Sequence, residues 1–433
     1  MPRSRWIVFS PLLLAASLPA RAATLIVNDL GDAGSGVCAS TCTLRDAIAS
    51  ALSGDTIGFA TTLAYPAMIT LGGQELLAYK NLTFAGPGAA LLSINGNGQS
   101  RIFEIAANAS VSVSGLTLTN GVSAGTFGTP SSPNGGPAYG GAVLVNAGST
   151  LQLLGCELTG NIASGGGGSF FTAGSGGAAY GGAIYNAGIL LIADTTLSGN
   201  AANGGYPPPP APGPAGNGGD AFGGAIYATG LTEVNNSQFL QNAAQGAPGA
   251  FNFFGSAGGN GGSAQGGALA ASGFTALSFV SAVGNSSAAG SGGFGTPVGN
   301  AGSATGSDIY STATVLSRYV ALTSTSGGGA TTCSIATSST QGANLDADGS
   351  CPNFSLHGDA KLQILTSGGQ TFAFPLWGSP LIDVEADCKD AFGATLTSDV
   401  RDGVRPLDGN ADGVVACDLG AVESDELFAN GFE

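Results

Sequence analysis

The chain has 433 residues, 75 of them glycine, with 11 basic and 27 acidic residues, one histidine and a net charge of −16. That acidity disfavours nucleic acid and anionic lipid as partners and suits calcium or plain solubility. Glycine far above its usual share of about 7 % would mean disorder if aperiodic, but such chains rarely carry this much Ile, Leu, Val and Phe.

In chain order, "MPRSRWIVFSPLLLAASLPARAA" supplies Arg3 and Arg5, an apolar stretch from Ile7 to Leu18 and the small-x-small site Ala20-Arg21-Ala22. This reads as a secretory signal peptide over 1–22, the mature chain starting near Ala23. No later stretch has the roughly 18 uninterrupted apolar residues of a transmembrane helix. Seven cysteines in an exported chain are read as disulfides. Local spacing pairs Cys38 with Cys42, Cys333 with Cys351 and Cys388 with Cys417. Cys156, in the apolar "LQLLGCELTGN", is left as a buried free thiol.

The middle of the chain repeats one phrase: "PNGGPAYGGAVL" (133–144), "GSGGAAYGGAIY" (174–185), "GNGGDAFGGAIY" (216–227), "GNGGSAQGGALA" (259–270) and a worn "GNAGSATGSDIY" (299–310). The glycine pairs begin at Gly140, Gly181, Gly223 and Gly266, with Gly306 as the worn fifth, and each following apolar run closes on Asn161, Asn200, Asn242 or Asn285. The intervening stretch holds three short pieces of near-two periodicity, such as "GAIYN", "ILLIAD" and "TTLSGN", and no helical stripe. That is one rung of a parallel β-solenoid, stacked about seven times or more. The asparagines are expected in the left-handed conformation at matching corners, laddered along the axis, and the glycine pair at another corner.

The rest of each repeat is an inserted loop leaving one corner, so the loops should stack along one side of the solenoid. They carry Phe170, Phe171, Tyr206, Phe251, Phe253, Phe254 and Phe294. These are either an aromatic wall for sugar rings or a partner surface, or rings packed on the adjacent sheet.

From Asn344 onward there are 16 acidic and four basic residues. Within them "DGNADG" (408–413) reads as the opening of a calcium loop, with Asp408, Asn410 and Asp412 as ligands and Asp418 or Glu423 completing the shell. The twelfth position, glutamate in an EF-hand, is Leu419, and a polar turn in an acidic, disulfide-tied cap is the other reading. His357 is the single histidine, which leaves a histidine-based zinc site or triad unsupported. Trp377 is expected in the cap's core, and Arg401 and Arg405 in internal ion pairs. Between Arg101 and Arg318 there is no Lys, Arg or His, and Glu104, Glu157, Asp194, Asp220, Glu233 and Asp308 fall at positions whose spacing predicts no carboxylate cluster. No catalytic residues are assigned.

"GGAI" and "FLQN" resemble the GGAI and FxxN repeats of chlamydial-type polymorphic outer-membrane proteins. "CASTCTLRDAIASALSGDTIGF" (38–59) resembles the CSLREA region of exported bacterial β-helix proteins, reading CTLRDA, and 341–423 resembles a choice-of-anchor domain of the Q type. The resemblance implies an all-β, right-handed, single-stranded parallel β-helix with a short N-terminal capping helix over "TLRDAIASA", Arg45 being structural there, and an acidic C-terminal cap. It implies an adhesin-like, exported protein, in the medium or on the outer surface of a Gram-negative bacterium. The chain departs from the outer-membrane group in showing no β-barrel translocator. Its last residues, "DELFANGFE" (425–433), resemble a tail of other exported proteins and read as a sorting signal or a last strand. The expected organisation is a signal peptide (1–22), an N-terminal cap (23–60), the β-helix with glycine-rich insertions (61–330), the choice-of-anchor-like region (331–424) and the tail. The expected function is binding of a glycan or surface protein by a monomer, or a structural role, without catalysis. The competing reading is a polysaccharide lyase or hydrolase.

Overall fold

A computed structural model describes residues 22–170, 172–208, 215–324, 330–367 and 370–424. Nearly all of the expected signal peptide (1–22), Phe171 and the tail 425–433 lie outside the described residues. The fold is a parallel β-helix with three faces. Face 1 stacks Thr24–Val27, Thr56–Phe59, Leu82–Ala85, Ser110–Ser114, Thr150–Leu154, Ile189–Ala193 and the first halves of Leu231–Leu240 and Thr275–Val283. Face 2 stacks Ala67–Thr70, Leu92–Asn95, Thr117–Thr119, Glu157–Thr159, Thr196–Ser198 and the second halves of those two long strands. Face 3 runs from Leu76–Ala78 through Phe103–Ile105, Val143–Val145, Ile184–Asn186 and Ile226–Ala228 to Leu269–Ala271. Inward positions coincide rung upon rung: Val111, Leu151 and Leu190 form one buried column, and Leu118, Leu158, Leu197 and Phe239 another. Burying each such side chain contributes about 1.5–3 kcal/mol.

The winding extends past both expected boundaries. Thr24–Val27 already pairs with Thr56–Phe59, inside the 23–60 segment. Beyond 330, Cys333–Gln341 pairs along Ile309–Arg318, and Leu345–Asp346 on Ala321–Leu322. These rungs lack the glycine phrase, the repeat signal that set the boundaries. The helix Leu44–Ser50 buries Leu44, Ala47 and Ile48 in the main core and is started by a Thr43/Asp46 capping box. Arg45 pairs with Asp32 at 2.7 Å and donates to the Glu75 carbonyl at 2.9 Å, tying the helix to the first full rung.

The asparagine ladder forms, but its members are not left-handed. Left-handed backbone falls one residue earlier, at Gly160, Gly199, Gln241 and Gly284. This placement turns each amide into the interior: Asn161 takes the amide of Gly121, Asn200, Asn242 and Asn285 each take the amide of the asparagine one rung before, and Asn200 donates onward to Asn242 at 2.9 Å. The ladder ends on Asn285, which donates to the fully buried Asp308 at 2.9 Å.

The acidic C-terminal segment folds back along the side of the solenoid as a lobe over the corner between faces 1 and 2. From the rung of Ser110–Ser114 onward each passes that corner through a left-handed residue: Gly115, Gly155, Asp194, Asn236, Phe279, Tyr319. Left-handed backbone costs a side-chain-bearing residue about 1–2 kcal/mol. At Phe279 and Tyr319 the cost is offset by burial beneath the lobe, where they pack with Leu381, Cys388, Cys417 and Leu419. Side chains of the solenoid accept lobe amides: Ala373 on Gln238 at 2.7 Å, Ala391 on Ser278 at 2.9 Å and Ala421 on Ser281 at 3.0 Å.

All three expected disulfides are present, Cys38–Cys42, Cys333–Cys351 and Cys388–Cys417. Cys156 is free and buried, its thiol pushed up to about 11 by that burial. Trp377, expected in a core, is 53 % exposed, because it follows the hairpin whose Phe372 and Phe374 fill that place.

Candidate functional site

The inserted segments are ordered, and glycine orders them. Each leaves face 2 as a short strand (Val122–Ala124, Ile162–Ser164, Ala201–Asn203, Ala243–Gln245, Ser286–Ala288) and returns to face 3 through another (Ala138–Tyr139, Ala179–Tyr180, Ala221–Phe222, Ala264–Gln265, Ala304–Thr305). Each set is its own five-stranded parallel sheet. Beyond these strands the bonding recurs every third residue. Gly165 and Gly168 donate to Asn203 and Tyr206 of the next outbound chain, while Gly166 and Ser169 donate to Gly136 and Pro133 of the preceding return chain. Gly246 and Gly249, then Ala247 and Ala250, repeat the pattern. Three residues per turn is the period of the polyproline II chain, and close side-by-side packing of such chains admits only glycine at the contacts. A Cβ on Gly166, Gly177, Gly205 or Gly219 would stand 2.0–2.1 Å from a neighbouring carbonyl oxygen. These glycines supply space rather than freedom, and the insertions form a layered slab.

The slab has two unlike faces. Continuing the outbound register, positions 127, 167, 206, 248 and 291 share one column, and 170, 251 and 294 the next. Phe127, Phe170, Tyr206, Phe251, Phe253, Phe254 and Phe294 are all 54–74 % exposed. Phe253 lies 6.4 Å from Phe251 and 6.2 Å from Phe294, centroid to centroid. Packing on the adjacent sheet is therefore not their arrangement. Phe127 was missed because it stands in the first insertion, ahead of the earliest repeat phrase; counting back two insertions from the register of Tyr206 would have found it. The return chains instead carry a polar ladder: Ser175 donates to Asn134, Asn217 to Ser175, Asn260 to Asn217 and Asn300 to Asn260, at 2.8–3.0 Å. Where these chains enter face 3, Tyr139, Tyr180 and Phe222 stack in register, with Tyr185 and Tyr227 as a second column. These rings are half-buried and shield the glycine corner; burial, then Tyr227, pushes the Tyr180 hydroxyl up.

Acidic groups gather where the lobe meets face 1. Asp194, Gln370, Arg401 and Asp402 line a cavity of about 440 Å³ with Gly86–Ala90. Burial raises Asp194, which Asn236 opposes by donating at 2.6 Å, and Asp402 and Asp399 raise it further. Arg401 is engaged: it pairs with Asp399 at 2.6 Å and lies over the Phe374 ring. Glu233 is raised by burial and then by Asp390. In the expected calcium loop, the Asp408 carboxylate accepts the amides of Asp412 and Gly413, Asn410 accepts Asp412, and Asp412 accepts Val414, at 2.8–3.2 Å. Asp418 and Glu423 belong instead to a buried network. Glu423 pairs with Arg405 at 2.9 Å, and burial pushes both carboxyls up. Among the described residues no group of three or more His, Cys, Asp or Glu is arranged to hold a metal ion. His357 bonds to the buried Asp346.

No family model and no curated protein matches the chain. Among solved structures it is similar to the pectate lyase Pel9A, at 13 % identity over 93 % of this chain and 96 % of that one, with a TM-score of 0.30. It is also similar to the PL6 family alginate lyase AlyGC, at 12 % identity over 81 % and 55 % respectively, with a TM-score of 0.22. Neither likeness bears on the chemistry of the site.

Proposed function

We propose that the chain is an exported binding protein, without catalysis of its own, that lays the aromatic face of its glycine slab against polysaccharide. The observation that carries this reading is the exposure of seven aromatic side chains on the outbound insertions, while the return chains present amides and hydroxyls. Solvent-exposed aromatic clusters mark interaction sites. Rings held on a rigid backbone offer contact area at low entropic cost, and they suit the apolar faces of sugar rings. The three disulfides fit export to an oxidising compartment, and no helix among the described residues is long and apolar enough to cross a membrane. An adhesin-like role at the cell surface is the setting in which such a face would work.

The test is depletion of the purified protein from solution by a panel of insoluble polysaccharides, with calcium and with chelator. Adsorption without release of product, lost in Phe251→Ala/Phe253→Ala/Phe294→Ala, supports the reading; each truncation weakens binding by about tenfold. Undiminished adsorption of that variant overturns it. The cavity holding Asp194, Arg401 and Asp402 is the observation that favours a polysaccharide-active enzyme, and release of soluble sugar in the same assay would establish that reading instead.

A further inference from the structure

Face 1 carries a second feature, independent of the slab. Its outward residues Thr83, Ser112, Gln152, Leu191 and Glu233 stand in strict register on successive rungs. At about 4.8 Å per rung they make a floor about 19 Å long. Two cavities that share Gln152 and Leu191 run along this floor, about 260 Å³ on the N-terminal side and about 150 Å³ toward Glu233 and Asn235. One rung further the column ends: Ala276, the register partner of Glu233, is 1 % exposed. There the lobe sits on the sheet, with the Ala391 amide on Ser278 and Asn235 donating to Asp390 at 3.3 Å. The trench is thus open toward the N-terminal rungs and shut by the lobe at Glu233. A trench of this shape takes the end of a chain rather than its middle.

The lining sets the chemistry. Hydroxyl and amide groups of Thr83, Ser110, Ser112, Thr150 and Gln152 are interrupted by the apolar Leu191, and no Lys or Arg lines either cavity. At the shut end Glu233 neighbours Asp390, whose other oxygen accepts the amides of Phe392 and Ala394 at 2.9 Å and is held in place by them. With no cation in the lining, the Glu233 carboxyl accepts sugar hydroxyls, and together with the buried Asp390 it repels a uronate. We propose that this trench binds the end of a neutral, hydroxyl-rich glycan chain, with Glu233 as hydrogen-bond acceptor at its closed end and the buried Asp390 behind it adding negative charge. The site is separate from the aromatic face, so either can fail without the other.

Calorimetric titration of the whole chain tests this, using cellotetraose, laminaritetraose, maltotetraose and chitotetraose, with tetragalacturonate as the acidic counterpart. At least one neutral tetraose is expected to bind at a single site, and tetragalacturonate not to bind. Ser112→Trp, which fills the open floor without touching the core, abolishes binding, and Glu233→Gln weakens it by about tenfold. Phe251→Ala leaves the titration unchanged. Binding of no neutral tetraose, equal binding of tetragalacturonate, or full affinity in Ser112→Trp overturns the proposal.

Discussion

Gly166 and Gly167 are neighbours in sequence, and the period-three packing assigns them opposite fates on substitution by alanine. A Cβ on Gly166 would stand 2.0 Å from the Thr126 carbonyl oxygen and 2.7 Å from its carbon, both backbone atoms of the layer beneath. Relief requires moving the chain away from that layer, which breaks the bonds from Gly166 to Gly136 and from Gly177 to Gly166, at 2.9 and 2.8 Å. Two lost backbone bonds and the residual overlap amount to about 2–4 kcal/mol. A Cβ on Gly167 meets the edge of the Phe127 ring at 3.0 Å, and that ring is 74 % exposed and turns aside, while the nearest backbone atom, the Tyr206 carbonyl oxygen, stands at 3.3 Å, a few tenths of an ångström inside ordinary contact. Gly167→Ala should therefore stay within about 0.5 kcal/mol of the parent. Urea denaturation read by circular dichroism, with limited proteolysis of the insertions, measures both. Equal effects of the two substitutions would refute the packing argument.

Asn200 is fully buried; its Oδ1 accepts the backbone and side-chain amides of Asn161, and its Nδ2 donates to Leu158 and Asn242. Asn200→Ala orphans several buried groups, and equilibrium unfolding should show a loss of about 3–5 kcal/mol. Burial pushes Asp308 up to about 7 against the bonds from Ser324 and Asn285, so the folded state holds a proton that the unfolded chain gives up at ordinary carboxylate pH. The stability this contributes is complete below about pH 4 and is lost as pH rises through about 7. Asp308→Asn should make the urea midpoint fall less steeply across that window, and an unaltered slope would contradict the assignment. Phe279→Ala removes the ring clamped between Arg405, 4.3 Å away, and Tyr319, 4.9 Å away. A cost of about 2–4 kcal/mol should fall on lobe docking, seen as faster proteolysis of 360–424 with the solenoid intact.

The rungs were legible because their chemistry is local. The spacing from Gly140 to Gly266 and the asparagines from Asn161 to Asn285 fix where each coil turns, and the alternation in pieces such as "ILLIAD" fixes which side chains point inward. The slab was not legible. "SGGGGS" reads as mobile linker by composition, and its order comes from bonds to chains about forty residues away, a register visible only once the layers are stacked. The position of the lobe was hidden for a related reason. Phe279 and Tyr319 occupy the corner taken by Gly115 and Gly155 in earlier rungs, but nothing local marks them as left-handed or as a docking pad. The acid groups Glu233 and Asp390 are 157 residues apart in number and meet only through that docking.

The most direct test of the account is amide hydrogen exchange through the insertions, resolved residue by residue. The slab predicts a period of three: Gly165, Gly166, Gly168 and Ser169 protected by at least about a hundredfold, with Gly167 and Phe170 exchanging freely, and the same rhythm at Gly246, Ala247, Gly249 and Ala250 against Phe251. Uniformly fast exchange across these stretches would mean loose glycine loops, and no fixed aromatic face to bind anything.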